Sequence, residues 1–490
     1  MKVKLTDILN EPEVIQVKGS KDIALKGITF DSRQVSPGFL FVAVKGTQSD
    51  GHEFIESAIN TGATAVVCEY LPAQIHPEVT YIRVHDSAKT LSVLASAFYD
   101  HPSRKFKLIG ITGTNGKTTT VTLLHRLFTG LGFKTGCFTT IRNYIGDTTV
   151  EATHTTPDPV QLNRIMKDMA DVGCEYVFME VSSHALVQQR VSGLTFAGGI
   201  FSNLTHDHLD YHKTFEAYLK AKKIFFDNLP AGSFSLINAD DRNGSVMVQN
   251  TKSVVSYYGI RTMAEFKGKI TESHFNGTLL NIDNTELWTR FIGEFNASNL
   301  LAVYACARLL GQIKEEILTV LSRMDTVEGR FQYLQSDTGV TAVIDYAHTP
   351  DAVLNVLRTI SQIRKGNERI ITVIGAGGNR DKTKRPVMAK VAAEMSDKLI
   401  LTSDNPRNED PLDIINDMKA GLNDQLLKKT IVQPDRAEAI KLSYMLAGKG
   451  DIILIAGKGH EIYQEIKGVK HHFSDLEVVS SLLVRKPNQT

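Results

Sequence analysis

Lys107-Leu108-Ile109-Gly110-Ile111-Thr112-Gly113-Thr114-Asn115-Gly116-Lys117-Thr118-Thr119 is the stretch that decides the fold. An apolar strand over Lys107–Ile111 runs into a Gly-rich turn, and Thr118–Leu131 continues with helical periodicity. Glycines in such a turn let backbone N–H groups approach phosphate oxygens closely. The helix N-terminus adds a favourable dipole, Lys117 a point charge, and the Thr118 hydroxyl can reach magnesium. The usual spacing of this loop asks for glycine at 111, where Ile111 stands; the nearest glycine is Gly110. Gly113–Thr118 still retains each physical part, and that outweighs the reading of an ordinary Gly-rich turn.

Outward from this loop, strand candidates recur at Tyr176–Val181, Gly199–Asn203 and Ser235–Asn238, with helical patterns between them. This alternation predicts a mostly parallel, doubly wound sheet. Residues 265–292 alternate apolar and polar positions and read as an antiparallel appendage. Before the loop, residues 1–103 read as a small α/β domain, with strand-like Phe39–Val44 and Ala65–Val67 and an amphipathic helix over Ser87–Tyr99. The run Asp100-His101-Pro102-Ser103 reads as a linker. A central domain then spans 104–330. From Phe331 a third α/β domain, 331–490, offers strands at Thr341–Asp345, Arg369–Gly375, Lys398–Thr402 and Asp451–Ala456. Ligand sites in such sheets lie at the C-terminal ends of the strands.

Composition agrees with three domains. At 490 residues the chain exceeds one ordinary core, and 42% hydrophobic with 22% charged residues is globular composition. A formal net charge of +1 argues against a general polyanion-binding surface, so no nucleic-acid partner is expected. Four scattered cysteines read as free thiols in a reducing compartment. The charged start MKVKLTDILNEPEV is not a signal peptide, and no run of about 18 apolar residues predicts a membrane span. The expectation is a cytoplasmic enzyme.

A second cluster narrows the chemistry. Glu180 ends one apolar strand and is followed by Ser182-Ser183-His184. The next strand leads into Asn203-Leu-Thr-His206-Asp207-His208-Leu-Asp210-Tyr-His212. A carboxylate and an imidazole at neighbouring strand ends can hold a divalent cation beside an ATP γ-phosphate. Zinc is open on ligand type; the phosphate loop favours magnesium or manganese.

Taken in order, Gly113–Thr118, Glu180-Val-Ser-Ser-His184, Asn203–Asp210, Gly293-Glu-Phe-Asn296 with Asn299, Gly329-Arg330 and Asp345-Tyr-Ala-His348-Thr-Pro-Asp351 resemble the Mur ligase family along nearly the whole chain. The resemblance implies an N-terminal domain for a UDP-sugar, a central P-loop ATPase and a C-terminal Rossmann-like domain for the incoming amino acid. It further implies an ADP-forming ligase: ATP phosphorylates a carboxylate, an amine attacks the acyl phosphate, and an amide forms. Gly113, Thr114, Asn115, Gly116, Lys117, Thr118, Thr119, Asn296, Asn299, Arg330, Asp345 and His348 would then face ATP. Thr118, Glu180 and His208 would hold magnesium, with Lys222 as a carbamate. Lys220 and Lys223 leave that lysine's register open, and an ordinary solvated lysine cluster is the bland alternative.

Flanking residues resemble the branch that adds the third amino acid to the peptidoglycan precursor. Ser32, Thr47, Gln48 and Ser49 would contact the uridine end of UDP-N-acetylmuramoyl-L-alanyl-D-glutamate. Thr155, Thr156, Ser182, Gln188 and Arg190 would hold its muramoyl-dipeptide part; His154 departs from the asparagine more usual there. The amino acid would meet Arg380, Asp404, Asn405, Pro406, Arg407, Gly457 and Glu461. Here the chemistry discriminates: meso-diaminopimelate ends in an amino and carboxylate pair, so an arginine fork suits its distal carboxylate, whereas lysine ends in a bare ammonium that Arg407 would repel. A monomer is expected. Lysine-adding specificity, a D-alanyl-D-alanine adder, a folylpolyglutamate-type ligase and a nucleotide-binding scaffold without turnover are the competing readings.

Overall fold

The computed structural model describes residues 3–46, 49–152 and 154–483, and three large sheets organise them. The first holds Val14–Lys18, Thr80–Val84, Ala63–Cys68, Phe39–Val42 and Gly27–Thr29, in that order, parallel apart from Val14–Lys18. The helix Ser87–Phe98 starts where the Asp86 side chain accepts from Lys89 N–H. Leu91, Leu94 and Phe98, at helical spacing, bury one face in this domain's core. The helix also packs on Pro159–Asp171 of the next unit.

Across the central sheet the strands run Thr148–Glu151, Arg142–Ile145, Thr135–Phe138, Tyr176–Glu180, Lys107–Thr112, Gly198–Phe201, Phe234–Asn238, Val254–Gly259, Phe266–His274, Gly277–Ile282 and Thr285–Thr289. From Thr135–Phe138 to Phe266–His274 every pairing is parallel. Ile109 and Ile111 enter one core and Leu108 the other, so the strand that opens the phosphate loop is buried on both faces. A Cβ on Gly110 would lie 2.5 Å from the Phe225 ring. Gly110 is therefore a strand glycine that admits the helix Phe215–Asp227, which explains why the loop spacing does not start there. The antiparallel strands after residue 265 form the expected appendage, joined to the parallel sheet where Phe266–His274 pairs with Val254–Gly259. The expected linker at 100–103 is docked too: Pro102 and Ser103 are buried, and Thr195 N–H donates to Ser103 Oγ at 3.0 Å.

The third sheet orders Gln332–Gln335, Thr341–Asp345, Ile452–Ala456, Ile370–Ile374, Lys398–Leu401 and Thr430–Val432, parallel except for its first strand. The arrangement is thus mixed α/β in three domains. Beneath the third sheet Arg436 is fully buried. Its guanidinium meets Asp475 at 2.7 and 2.8 Å and donates to the Ala456 carbonyl at 3.0 Å. Asp475→Ala leaves that charge unpaired and is expected to destabilise the protein by about 3–5 kcal/mol, read from chemical denaturation. All four cysteines are free and buried. No helix among the described residues is long and apolar enough to cross a membrane.

Candidate active site

Three strand ends of the central sheet and the near face of the third domain converge on the loop after Thr112. Gly113 (φ 151°) and Gly116 (φ 87°) adopt conformations that side chains rarely take. A Cβ at Gly113 would lie 2.0 Å from Ser202 Oγ, and one at Gly116 2.5 Å from Asn299 Oδ1. Thr114 N–H donates to the Asn203 carbonyl at 2.8 Å and Asn115 N–H to Asn203 Oδ1 at 2.9 Å. The loop is therefore pinned by the next strand's exit. Thr118 and Thr119 are buried in the first turn of the helix Lys117–Gly130.

Two lysines converge on one carbonyl: Lys117 Nζ donates to Gly113 O at 2.9 Å and Lys222 Nζ to the same oxygen at 2.8 Å. Of the lysine trio Lys222 is the most deeply buried, 1% exposed and 4.7 Å from the centre of the Tyr218 ring, and it is the one that reaches the loop. Lys220 pairs with Glu216 at the surface and Lys223 with Asp227. Burial, then the charge of Lys117, holds the Lys222 ammonium well below its ordinary pKa. Lys117 is lowered by burial as well, with Glu180 and Asp207 opposing.

Glu180 is 1% exposed, and among the described residues its carboxylate oxygens accept only from Thr140, from the N–H at 2.8 Å and the hydroxyl at 3.2 and 3.3 Å. A buried carboxylate with no ion pair is costly, so its environment suits a cation. His208 sits at φ 55°, its N–H donating to Asp207 Oδ1 at 3.0 Å and its Nε2 lying 3.3 Å from Asp207 Oδ2. Burial outweighs Asp207 and pushes the His208 imidazole down to about 3, which keeps it neutral and able to ligate. No three His, Cys, Asp or Glu side chains among the described residues surround one point. A cation here would draw the rest of its ligands from substrate and water oxygens, which suits magnesium better than zinc.

The third domain closes over this loop. Lys384 Nζ lies 3.5 Å from Asp207 Oδ1, His206 Nε2 3.6 Å from Asp381 Oδ2, and Asn115 Nδ2 donates to Asp351 Oδ2 at 3.2 Å. Arg330 Nη2 donates to Thr118 Oγ1 at 3.2 Å while its guanidinium covers the Tyr346 ring at 4.6 Å. Asp345 uses both oxygens as a backbone clamp, accepting from Phe331 and Ala347 N–H at 2.7 Å each. His348 Nδ1 pairs with the Tyr346 carbonyl at 2.9 Å, and Asn296 Nδ2 donates to Ile292 O at 2.9 Å.

Beside Glu180 a second group is linked. Thr156 Oγ1 donates to the Glu180 carbonyl at 2.8 Å and accepts from Ser182 N–H at 3.2 Å. Arg190 donates to the Thr156 carbonyl at 2.7 Å and grips Gln188 Oε1 at 2.6 and 3.0 Å. Thr155 Oγ1 accepts from Thr140 at 3.1 Å, and His154 is exposed. Ser32 and Ser49 stand apart in the first domain, with no bond to this group among the described residues; Thr47 and Gln48 lie outside the described residues.

The predicted amino-acid residues also meet. Asn405 Nδ2 donates to Glu461 Oε2 at 2.8 Å, and Asn405 Oδ1 accepts from Lys458 Nζ at 3.1 Å. Asp404 approaches Lys458 at 3.7 Å and crowds Gly457, where a Cβ would sit 2.7 Å from Asp404 Oδ2. Pro406 is buried against Gly378, whose Cβ would fall 1.9 Å from the Pro406 carbonyl. Arg407 Nη1 donates to the Gly378 carbonyl at 2.8 Å, and Arg380 is exposed nearby. Sequence reasoning missed Thr140, Tyr218, Lys384 and Lys458. Lys458, between two glycines in a strand-exit turn, carried the one usable signal.

Comparison with known proteins agrees with this geometry. Residues 24–99 match the Mur ligase family catalytic domain, 111–307 the Mur ligase middle domain and 329–459 the Mur ligase glutamate ligase domain. The UDP-N-acetylmuramoyl-L-alanyl-D-glutamate--2,6-diaminopimelate ligase of Bacteroides fragilis is 57% identical over 480 residues, covering 98% of this chain and 99% of that one. The ligase of the same name from Cytophaga hutchinsonii is 54% identical, with 98% and 99% covered. A solved structure of a protein with that name aligns with TM-score 0.69 at 31% identity over 99% of both chains. The fold of the MurF ligase of Thermotoga maritima, solved with ADP, aligns with TM-score 0.61 at 18% identity over 93% of this chain and 96% of that one. The chain belongs to the Mur ligase family and is an ATP-dependent amide-bond ligase.

Proposed function

We propose that this ligase adds meso-diaminopimelate to UDP-N-acetylmuramoyl-L-alanyl-D-glutamate, forming ADP and phosphate through an acyl phosphate. The observation that carries this reading is the 54–57% identity, over nearly the whole chain, to relatives named for 2,6-diaminopimelate ligation. Residues 1–103 bind the UDP end, 104–330 bind ATP, and 331–490 bind the amino acid. The enzyme acts as a monomer in the cytoplasm.

The substrate carboxylate attacks the γ-phosphorus and ADP leaves. The amine then attacks the acyl carbon, phosphate departs with the carboxylate's oxygen, and the amine loses a proton. Such transfer needs positioning and charge neutralisation more than covalent help. The loop N–H groups and Lys117 hold the phosphates, and Asn296, Asn299, Arg330, Asp345 and His348 border the rest of the nucleotide. The group of Thr155, Thr156, Ser182, Gln188 and Arg190 presents the dipeptide beside Glu180. Magnesium, held by Thr118, Glu180 and His208, would neutralise the transferring phosphoryl group. Domain closure keeps water away.

Lys222, whose burial beside Lys117 disfavours its ammonium form, can add carbon dioxide to its Nζ and release a proton. The resulting carbamate would replace the second positive charge beside Lys117 with a negative one. Bicarbonate-depleted enzyme is expected to lose activity about 10–100-fold and to recover when bicarbonate returns. An indifferent rate, together with an active Lys222→Met, would discard the carbamate.

An amine panel tests the function. Purified chain, ATP and the UDP-muramoyl-dipeptide should release ADP with meso-diaminopimelate and yield the tripeptide by mass spectrometry. ADP release with L-lysine alone would move the reading to a lysine adder, and none with either amine would move it to another ligase of the family.

A further inference from the structure

We propose that Lys384 is a positioning residue for phosphoryl transfer, brought in by the third domain and acting through Asp207 to hold His208 in place. The cation site of the central domain is then complete only when the third domain is docked against it; this rests on the proposed reaction and its magnesium. Lys384 Nζ reaches Asp207 Oδ1 at 3.5 Å, with the two side chains 9% and 6% exposed. Among the described residues Asp207 is the one hydrogen-bond or ion-pair partner of this ammonium.

Asp207 carries the contact onward. The oxygen that faces Lys384 also accepts the His208 N–H at 3.0 Å, and Oδ2 lies 3.3 Å from His208 Nε2. One carboxylate therefore touches both the backbone and the ring of His208. That backbone is left-handed, φ 55°, a conformation a histidine keeps only where its surroundings hold it. Burial works against the charge on Asp207; Lys384, then His208 and His348, outweigh it and hold the carboxyl well below its usual range. Lys384 is its one lysine or arginine contact among the described residues.

Adhesion between domains does not explain the pair. Stripping water from two charges can cost more than their attraction returns, so a buried ion pair is poor glue and serves alignment better. Lys384 is also rigidly placed. It opens the helix Lys384–Met395 after a turn in which Asp381 Oδ1 accepts from Thr383 N–H at 2.8 Å and Thr383 Oγ1 at 2.5 Å. The next residue, Arg385, is fully buried and bound to Glu409 twice at 2.9 Å and to Asp417 at 2.8 Å. Arg380, assigned above to the incoming amino acid, lies just upstream in the same turn. Seating that turn and seating His208 are thereby one event, which brings the amine and the phosphoryl group together in step.

Full-chain variants test this by two readouts. One is the Mg2+ dependence of ADP release. The other is Mn2+ binding to enzyme holding a non-hydrolysable ATP analogue, followed by the EPR signal of free Mn2+. Lys384→Met should lower kcat and weaken Mn2+ binding, each about 10–100-fold, and raise the half-saturating Mg2+ concentration, with Lys384→Arg recovering part of all three. Lys384→Met alone strands a buried carboxylate, so the double variant Asp207→Asn/Lys384→Met, with neither charge, separates folding from positioning. Weak Mn2+ binding in the double variant beside a native unfolding temperature is the expected result. Either variant, folded and binding Mn2+ as the native enzyme does, overturns the positioning role alone. A native enzyme whose ADP release is indifferent to EDTA overturns the magnesium reading, and the positioning role falls with it.

Discussion

Lys117→Ala is expected to lower kcat by about 10²–10³-fold, measured as ADP release at saturating substrates, with the thermal unfolding profile preserved. Its ammonium bonds to Gly113 O and Thr114 O at 2.9 and 2.8 Å, which aims it into the loop where the phosphates would lie. Removing it leaves the glycine turn and the helix start intact, because Asn203 and Ser202 pin the loop independently. Ser202 Oγ donates to the Asn115 carbonyl at 2.7 Å. The charge on the transferring phosphoryl group then goes unmet. A variant within about threefold of native would place phosphate neutralisation elsewhere.

Arg407→Ala is the second large effect, an expected loss of about 10–100-fold in kcat/KM for meso-diaminopimelate with the KM for ATP unchanged. The left-handed backbone at 407 is held by the hairpin of Tyr463–Ile466 and Val469–His472, so alanine inherits the same turn. The loss would therefore report the guanidinium and not a collapsed loop. Unchanged kcat/KM would discard the distal-carboxylate reading of this arginine.

Much of this site could be read from the chain because its parts sit at strand exits. The apolar runs of Lys107–Ile111 and Tyr176–Val181 mark parallel strands buried on both faces, and Gly113–Thr118 and Glu180 follow directly from them. The strands Thr135–Phe138, Arg142–Ile145 and Thr148–Glu151 on one side of the central sheet escaped notice, being short and interrupted by glycine or polar residues. Lys222 was legible in principle. With Tyr218 and Phe225 it falls on the i, i+4, i+7 stripe that the helix Phe215–Asp227 buries, whereas Lys220 lies off that stripe. Contacts between Lys384 and Asp207, or Asn115 and Asp351, join residues far apart in sequence, and only the packing of domains brings them together.

In the proposed reaction the substrate carboxylate is activated as an acyl phosphate. Oxygen-18 in the side-chain carboxylate of the D-glutamyl residue tests it most directly, by mass spectrometry of the phosphate released during ligation. One labelled oxygen in each inorganic phosphate is the predicted result, because the carboxylate oxygen leaves with the phosphoryl group. Unlabelled phosphate alongside complete amide formation would contradict it.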